Sequence, residues 1–483
     1  MNGPIRRVAF VVAVMFASLL ISSTWIQVIN ADALSKKPTN VRTLYKQYGR
    51  QRGPLLLAGG TALAESTPST DLYKFQRKYP GGPTYAPVTG YYSLVYGSTG
   101  LESTENDLLS GTAGQLFYRR ISDLLTGREP EGAQVQLTIQ PKVQEAAYKA
   151  LGNQQGAVVA LNPKTGDILA MVSKPSYDPD DLAGHDRNKV IKNRTDLLAD
   201  DNDPLLNRAI SQTYPPGSTF KVVMSAAALS NGYTPDSELD GPAALTLPQT
   251  SNPLDNDDHR SCGPNDKTTL THALEISCNT AFASLGLKLG TQTIRDQAAK
   301  FGFGQNLVIP LKVAPSTIPD TLSPPQLAQS SIGQFNDKVT PLQMAMVAAG
   351  IANDGTVMRP NLIKRVTTAE LKTIDQPDPE KLSDAVTADV ANQLTTMMES
   401  VVTSGTGTRA QIPGIQVAGK TGTAQHGKGA SPHAWFISFA PADDPQVAVA
   451  VVVENGGRLG SEAFGGTVAA PIAKAVMEAV INK

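Results

Sequence analysis

Tyr214-Pro215-Pro216-Gly217-Ser218-Thr219-Phe220-Lys221 joins a rigid Pro-Pro-Gly turn to a helical pattern that runs through Leu229, so Ser218 falls in the first turn of a helix. Three residues on is the same helix face, which lets Lys221 stand beside the Ser218 hydroxyl. The helix N-terminus favours negative charge developing on that oxygen. A serine hydroxyl is a weak nucleophile until a base takes its proton, and a lysine can do this only if burial or a second cation lowers its pKa. Alone, the Ser-x-x-Lys spacing is a common accident, and a serine before a helix is ordinarily just an N-cap. Two further stretches give it weight. Ser277-Cys278-Asn279 lies 59 residues after Ser218, and Lys420-Thr421-Gly422-Thr423 lies 143 after Ser277.

Val135 to Ile139 alternates as a strand does, and Pro141 opens a helix through Ala150. Ala157–Leu161 and Ile168–Val172 flank Asn-Pro-Lys-Thr-Gly-Asp, which reads as an antiparallel hairpin. Helical patterns follow at Ser218–Leu229, Leu270–Leu289, Pro341–Asn353 and Ala388–Thr403, the last two stopped by Gly355 and Gly405. Trp435–Ala440 and Val447–Glu454 are dense in β-branched and aromatic residues, and Ala469–Val480 closes the chain as a helix. Strands first, helices in the middle, then strands and a helix predict an α+β domain whose sheet is assembled from both ends of the sequence. The Glu454 to Gly466 stretch, rich in glycine, reads as a plain loop.

The 483 residues exceed what one hydrophobic core usually supports. A hydrophobic content of 41% excludes whole-chain disorder. The net charge of −1, with no long basic run, removes the nucleic-acid binders. After Arg6-Arg7, Val8 to Ile29 carries no charge over 22 residues, enough for a helix to cross a hydrocarbon core of about 30 Å. Ala31-Asp32-Ala33 has the small-x-small form of a signal cleavage site, but the apolar run exceeds a signal core and Trp25 sits where an interfacial tryptophan belongs. It reads as an uncleaved anchor with residues 31–483 outside the cytoplasm. Residues 31–130 are loop-rich and are expected as a small irregular module, 131–483 as the catalytic domain. Cys262 and Cys278 fit either a reduced chain or a single bridge. No H-x-x-x-H pair occurs among the five histidines, and neither a metal nor another cofactor is expected.

Jointly and in this order, the three motifs resemble the S-x-x-K, S-x-N and K-T-G set of serine β-lactamases and penicillin-binding proteins. The flanks Tyr214-Pro-Pro-Gly217 and His433-Ala-Trp435-Phe436 are similar to the same family. Arg52-Gly53, Arg77 with Tyr79-Pro80, and Gly97 to Glu102 resemble the pedestal of the monofunctional class B penicillin-binding proteins, actinobacterial members above all. The resemblance covers nearly all of residues 40–483. It implies the penicillin-binding transpeptidase fold, an antiparallel sheet flanked by helices, behind an irregular pedestal and one transmembrane helix.

The resemblance also implies roles. Ser218 would attack the penultimate D-Ala of a peptidoglycan stem peptide, with Lys221 as base and Lys420 depressing the Lys221 pKa by its charge. Ser277 would relay a proton to the leaving amine, and Asn279 would hold the substrate amide. Thr421 and Thr423 would bind the terminal carboxylate, and Gly422 would let substrate backbone approach closely. The backbone N–H groups of Ser218 and Thr423 would form the oxyanion hole. The family motif does not call for Cys278; if Cys278 is bridged to Cys262, the bridge would brace the second motif against the cleft. β-Lactams would be inhibitors, and wall-synthesis or divisome proteins the partners in septal peptidoglycan synthesis at the cell membrane.

Four activities share such a cleft. A class A β-lactamase needs a glutamate after its second motif, and no Glu occurs between Glu275 and Glu370. A sensor would need further membrane spans, and a bifunctional synthase a longer N-terminal domain. That leaves a transpeptidase, with a D,D-carboxypeptidase as the alternative. A non-catalytic scaffold of a wall-synthesis complex is a third reading, against which stands the presence of every motif residue. A Ser-His-Asp hydrolase would need a G-x-S-x-G elbow, which is absent from the sequence.

Overall fold

Val447–Val453 is an unbroken apolar run with every residue buried, the pattern of a strand covered on both faces. In this computed structural model, which describes residues 2–31, 34, 45, 47–117, 125–127, 131–427 and 429–482, it forms the central strand of a five-stranded antiparallel sheet. In chain order, the N-terminal elements are α1 (Asn2–Thr24), β1 (Leu55–Leu56), β2 (Ala62–Pro68), β3 (Phe75–Lys78), β4 (Gln134–Leu137) and α2 (Pro141–Leu151). They are followed by β5 (Gly156–Leu161), β6 (Ile168–Lys174), α3 (Lys221–Ser230), α4 (Leu270–Glu275), α5 (Asn279–Leu289) and α6 (Pro341–Ala352). The chain ends with β7 (Ile363–Thr367), β8 (Thr373–Asp375), α7 (Ala388–Thr403), β9 (Ala418–Ala424), β10 (His433–Ala440), β11 (Val447–Val453) and α8 (Gly465–Ile481).

The main sheet runs β9-β10-β11-β5-β6, so both ends of the catalytic segment contribute to it, as the sequence predicts. Alternation along the strands sorts their side chains. Val158, Ala160, Val449 and Val451 pack with α2 and α8 on one face. Val159, Ala450 and Val452 join α6 on the other. All twelve residues of α6 are buried, which is why its pattern is apolar all round rather than striped. This is the helix-flanked antiparallel sheet expected.

A second sheet, in the order β8-β7-β4-β1-β2-β3, crosses the expected boundary near residue 130, with Leu55 of β1 paired in parallel to Val135 of β4. Residues 128–130 lie outside the described residues. The pedestal segments singled out in the sequence meet at one carboxylate. Arg52 Nε lies 2.5 Å from Glu102 Oε2 and Arg77 Nε 2.6 Å from Glu102 Oε1, all three side chains being buried. The Tyr79 hydroxyl donates to Glu102 Oε1 at 3.2 Å. Burial acts to raise the Glu102 pKa, but the two guanidiniums outweigh it and hold the carboxyl below its usual range.

The predicted Leu270–Leu289 helix is two helices, α4 and α5, with the break at Ile276–Cys278. Neither Gly nor Pro marks it. Ser277 instead takes a left-handed conformation, φ +64°, unusual for a residue with a Cβ. The N-terminal helix continues past α1 to give a 27-residue span, Gly3–Ile29, whose most apolar stretch has a mean hydropathy of 2.1 and holds no buried residue. It is long and apolar enough to cross a membrane.

Candidate active site

Gly217–Phe220 forms a tight 3-10 turn that leads into α3, placing Ser218 in the lining of a cleft of about 410 Å³, with Lys221, Asn279 and Lys420 buried behind that lining rather than on it. Gly217 has φ +53°, and a Cβ there would lie 2.7 Å from the Thr423 carbonyl oxygen. Only glycine brings the nucleophile turn this close to β9. The turn is pinned from behind, where the Trp435 indole donates to the Pro215 carbonyl at 3.1 Å and the Tyr214 hydroxyl donates to Glu454 at 2.6 Å. Glu454 also pairs with buried Arg208 at 2.9 Å. The stretch expected as a plain loop therefore starts on a buried ion pair, and its Phe464, Gly465 and Gly466 line the cleft.

The helix break brings the second motif to Lys221. Lys221 Nζ donates to the Ser277 carbonyl at 2.6 Å and to Asn279 Oδ1 at 2.6 Å, with Ser277 Oγ at 3.3 Å. Among the described residues no hydrogen bond joins Nζ to Ser218 Oγ. Burial lowers the Lys221 pKa to about 7, with Asp257 opposing. The resemblance implied that Lys420 would depress Lys221 by its charge. Burial is the main cause of the lowered Lys221 pKa, and Lys420 is held well below the usual lysine range by burial first and the Lys221 charge second, a repulsion that is mutual between two neighbouring ammonium groups. Lys420 Nζ donates to the Thr421 carbonyl at 3.0 Å.

Thr421 and Thr423 both line the cleft, the Thr421 hydroxyl lying 2.6 Å from that of Thr406. Gly422 also lines the cleft, and a Cβ there would meet Thr219 Cγ2 at 2.9 Å and Trp435 Cβ at 2.9 Å, so packing against the protein calls for glycine as well. Cys262 and Cys278 are bridged, and Cys278 caps α5. Asn256 completes that cap. Its Oδ1 accepts from the N–H groups of Asn279 at 2.9 Å and Thr280 at 3.0 Å. Asp257 Oδ1 accepts from Asn279 Nδ2 at 3.0 Å. Asn256, Asp257, Thr406 and Arg409 are cleft residues the sequence reading missed, because isolated polar residues in loops carry no periodic signal.

Comparison with known proteins agrees with this geometry. The penicillin-binding protein transpeptidase domain matches residues 156–478. The chain belongs to the penicillin-binding protein transpeptidase family. The dimerisation domain of penicillin-binding protein A matches residues 52–135. The chain is 46% identical to the peptidoglycan D,D-transpeptidase PbpA of Mycolicibacterium smegmatis, covering 100% of both chains. It is 44% identical to the Mycobacterium tuberculosis protein of that name, over 100% of this chain and 99% of the relative. Penicillin-binding protein A of M. tuberculosis, solved as its ceftriaxone acyl-enzyme, superposes with a TM-score of 0.88 at 43% identity, covering 90% of this chain and all of that one.

Proposed function

We propose that this penicillin-binding protein is a peptidoglycan D,D-transpeptidase that cross-links stem peptides through an acyl-enzyme on Ser218. The observation that carries the reading is the buried Lys221 amine, held at two carbonyl oxygens beside the cleft that contains Ser218. A neutral lysine has two N–H hydrogens and one lone pair. With both hydrogens bonded to the Ser277 carbonyl and Asn279 Oδ1, the lone pair is left for a hydroxyl proton.

In acylation, Ser218 Oγ bonds to the carbonyl carbon of the penultimate D-Ala and its proton passes to Lys221 Nζ. The peptide C–N bond then breaks, and the leaving D-Ala amine takes a proton through Ser277. Ser218 and Thr423 N–H groups stabilise the oxyanion, a contribution of about 2.7–4 kcal/mol per donor. Asn279 holds the substrate amide, and Thr421 and Thr423 hold the terminal carboxylate. An amine from a second stem peptide next attacks the ester, forming the cross-link and restoring Ser218. β-Lactams acylate the same oxygen.

The N-terminal helix serves as a single membrane anchor with the catalytic part outside the cytoplasm, and septal wall synthesis alongside divisome proteins fits that placement. Fluorescent penicillin should label the wild type one to one and leave Ser218→Ala unlabelled. Donor and acceptor peptides should then yield a cross-linked product. Release of D-Ala with no cross-link makes the protein a carboxypeptidase, and a folded chain that takes no label refutes catalysis.

A further inference from the structure

Ser330–Asp337 contacts the two backbone segments that carry the proposed oxyanion-hole N–H groups, at Gly217 and at the Thr423 carbonyl, although none of the three motifs includes it. The Gly217 N–H donates to the Gly333 carbonyl at 2.8 Å, directly before the nucleophile. A Cβ on Gly333, whose φ is +73°, would lie 2.0 Å from the Gly217 carbonyl oxygen. On the other side, Gln334 Nε2 donates to the Thr423 carbonyl at 3.4 Å. That carbonyl is the same atom a Gly217 Cβ would approach at 2.7 Å. The Gln334 side chain and the Gly217 turn thus both close on the Thr423 carbonyl, while Gly333 holds the Gly217 turn itself.

The turn that makes this contact is itself fixed. The Gly333 N–H donates to the Ser330 carbonyl at 2.8 Å and the Gln334 N–H to the Gln329 carbonyl at 3.0 Å. Ser330 Oγ lies 2.7 and 2.9 Å from the two oxygens of buried Asp337, closing the loop. Beyond it, Val339 and Tyr214 exchange both backbone hydrogen bonds, at 2.9 and 2.8 Å. The brace therefore runs antiparallel to the turn that carries Ser218.

We infer that Gln334 is a positioning residue for the oxyanion hole, its side-chain amide holding the Thr423 carbonyl so that the Thr423 and Ser218 N–H groups converge on one oxygen of the reacting acyl group. The inference rests on the acyl-enzyme reading above. Donors aimed at an oxyanion act on the transition state and not on ground-state binding. Removing the amide should therefore slow the chemical step and leave the noncovalent complex unaltered.

The test is stopped-flow acylation by fluorescent penicillin, separating the maximal acylation rate from the dissociation constant of the initial complex, on full-length protein in detergent. For Gln334→Met, which keeps the length and loses the donor, we expect the maximal rate to fall about threefold to tenfold, as for loss of one hydrogen bond, with the dissociation constant unchanged. Hydrolysis of the acyl-enzyme should slow by a similar factor, because its tetrahedral intermediate uses the same hole. Gln334→Glu, an acceptor facing an acceptor, should lose at least as much, and it carries the test if the Met variant does not fold. A change in maximal rate of less than about twofold in a folded variant, or a loss confined to the dissociation constant, overturns the inference while wild-type labelling at Ser218 leaves the acyl-enzyme reading standing. Absence of wild-type labelling overturns both.

Discussion

A buried lysine whose pKa lies near 7 should give acylation a pH dependence that an ordinary lysine cannot. With Lys221 lowered from 10.5 to about 7, roughly half the molecules carry the neutral amine at neutral pH, against roughly one in three thousand for an unperturbed side chain. Only the neutral amine can accept the Ser218 proton. The second-order rate constant for fluorescent penicillin should therefore rise about thirtyfold between about pH 5.5 and 8 and then level off. The penicillin carboxylate is ionised throughout this window and adds no slope. Asp257 supplies an internal control, because its negative charge favours the protonated lysine, and Asp257→Asn should move the midpoint to lower pH. A profile that is flat from pH 5.5 to 8, or that keeps rising toward pH 10, would refute the claim that burial makes Lys221 the base.

Glu102→Gln should lower thermal stability by about 3–5 kcal/mol, since it leaves Arg52 and Arg77 buried without their counter-charge; a calorimetric melt reads it, and an unchanged Tm would remove the cluster as a support of the pedestal. Gly217→Ala should abolish labelling in a protein that still folds, because the added methyl meets the Thr423 carbonyl; labelling at the wild-type rate would mean the turn can shift without cost. Reducing the Cys262–Cys278 bridge, which joins residues 16 apart, should lower stability by about 3 kcal/mol in the chain-entropy view, measured as the difference in denaturation midpoint with and without reductant. Asp337 has its pKa raised well above its ordinary value by burial, so its contribution is full at low pH and is lost as pH rises from the unfolded carboxyl value toward the folded one. Asp337→Asn should flatten that part of the stability profile, and parallel pH profiles for the two proteins would contradict it.

The sheet and most helices are legible because their patterns are periodic or continuous. The valine run at Val447–Val453 and the apolar helix at Pro341–Ala352 announce buried elements before any contact is known. The chemistry of Ser218, Lys221, Ser277 and Lys420 is legible only as a set, since each spacing alone is common. The break at Ser277 is not legible. It depends on tertiary partners, the bridge from Cys278 to Cys262 and the Asn256 cap, which lie far from it in sequence. The need for glycine at Gly422 was visible, but its packing against Thr219 and Trp435 was not, because those residues come from other segments. The depression of Lys221 was likewise expected from burial or a second cation, but that burial dominates is a property of the assembled fold and not of neighbouring letters.

The pairing of Leu55 with Val135 bears on how a soluble form should be cut. A fragment starting just after residue 130 would strip β1 from β4 and leave a row of unmatched amides and carbonyls on a strand that the intact chain covers, an invitation to edge-to-edge self-association. Truncation that removes the apolar N-terminal helix but begins ahead of Arg52 retains β1, β2 and the Glu102 cluster. Inhibitor screening on such a fragment would address the same cleft, framed by the same sheet, that the full-length protein presents.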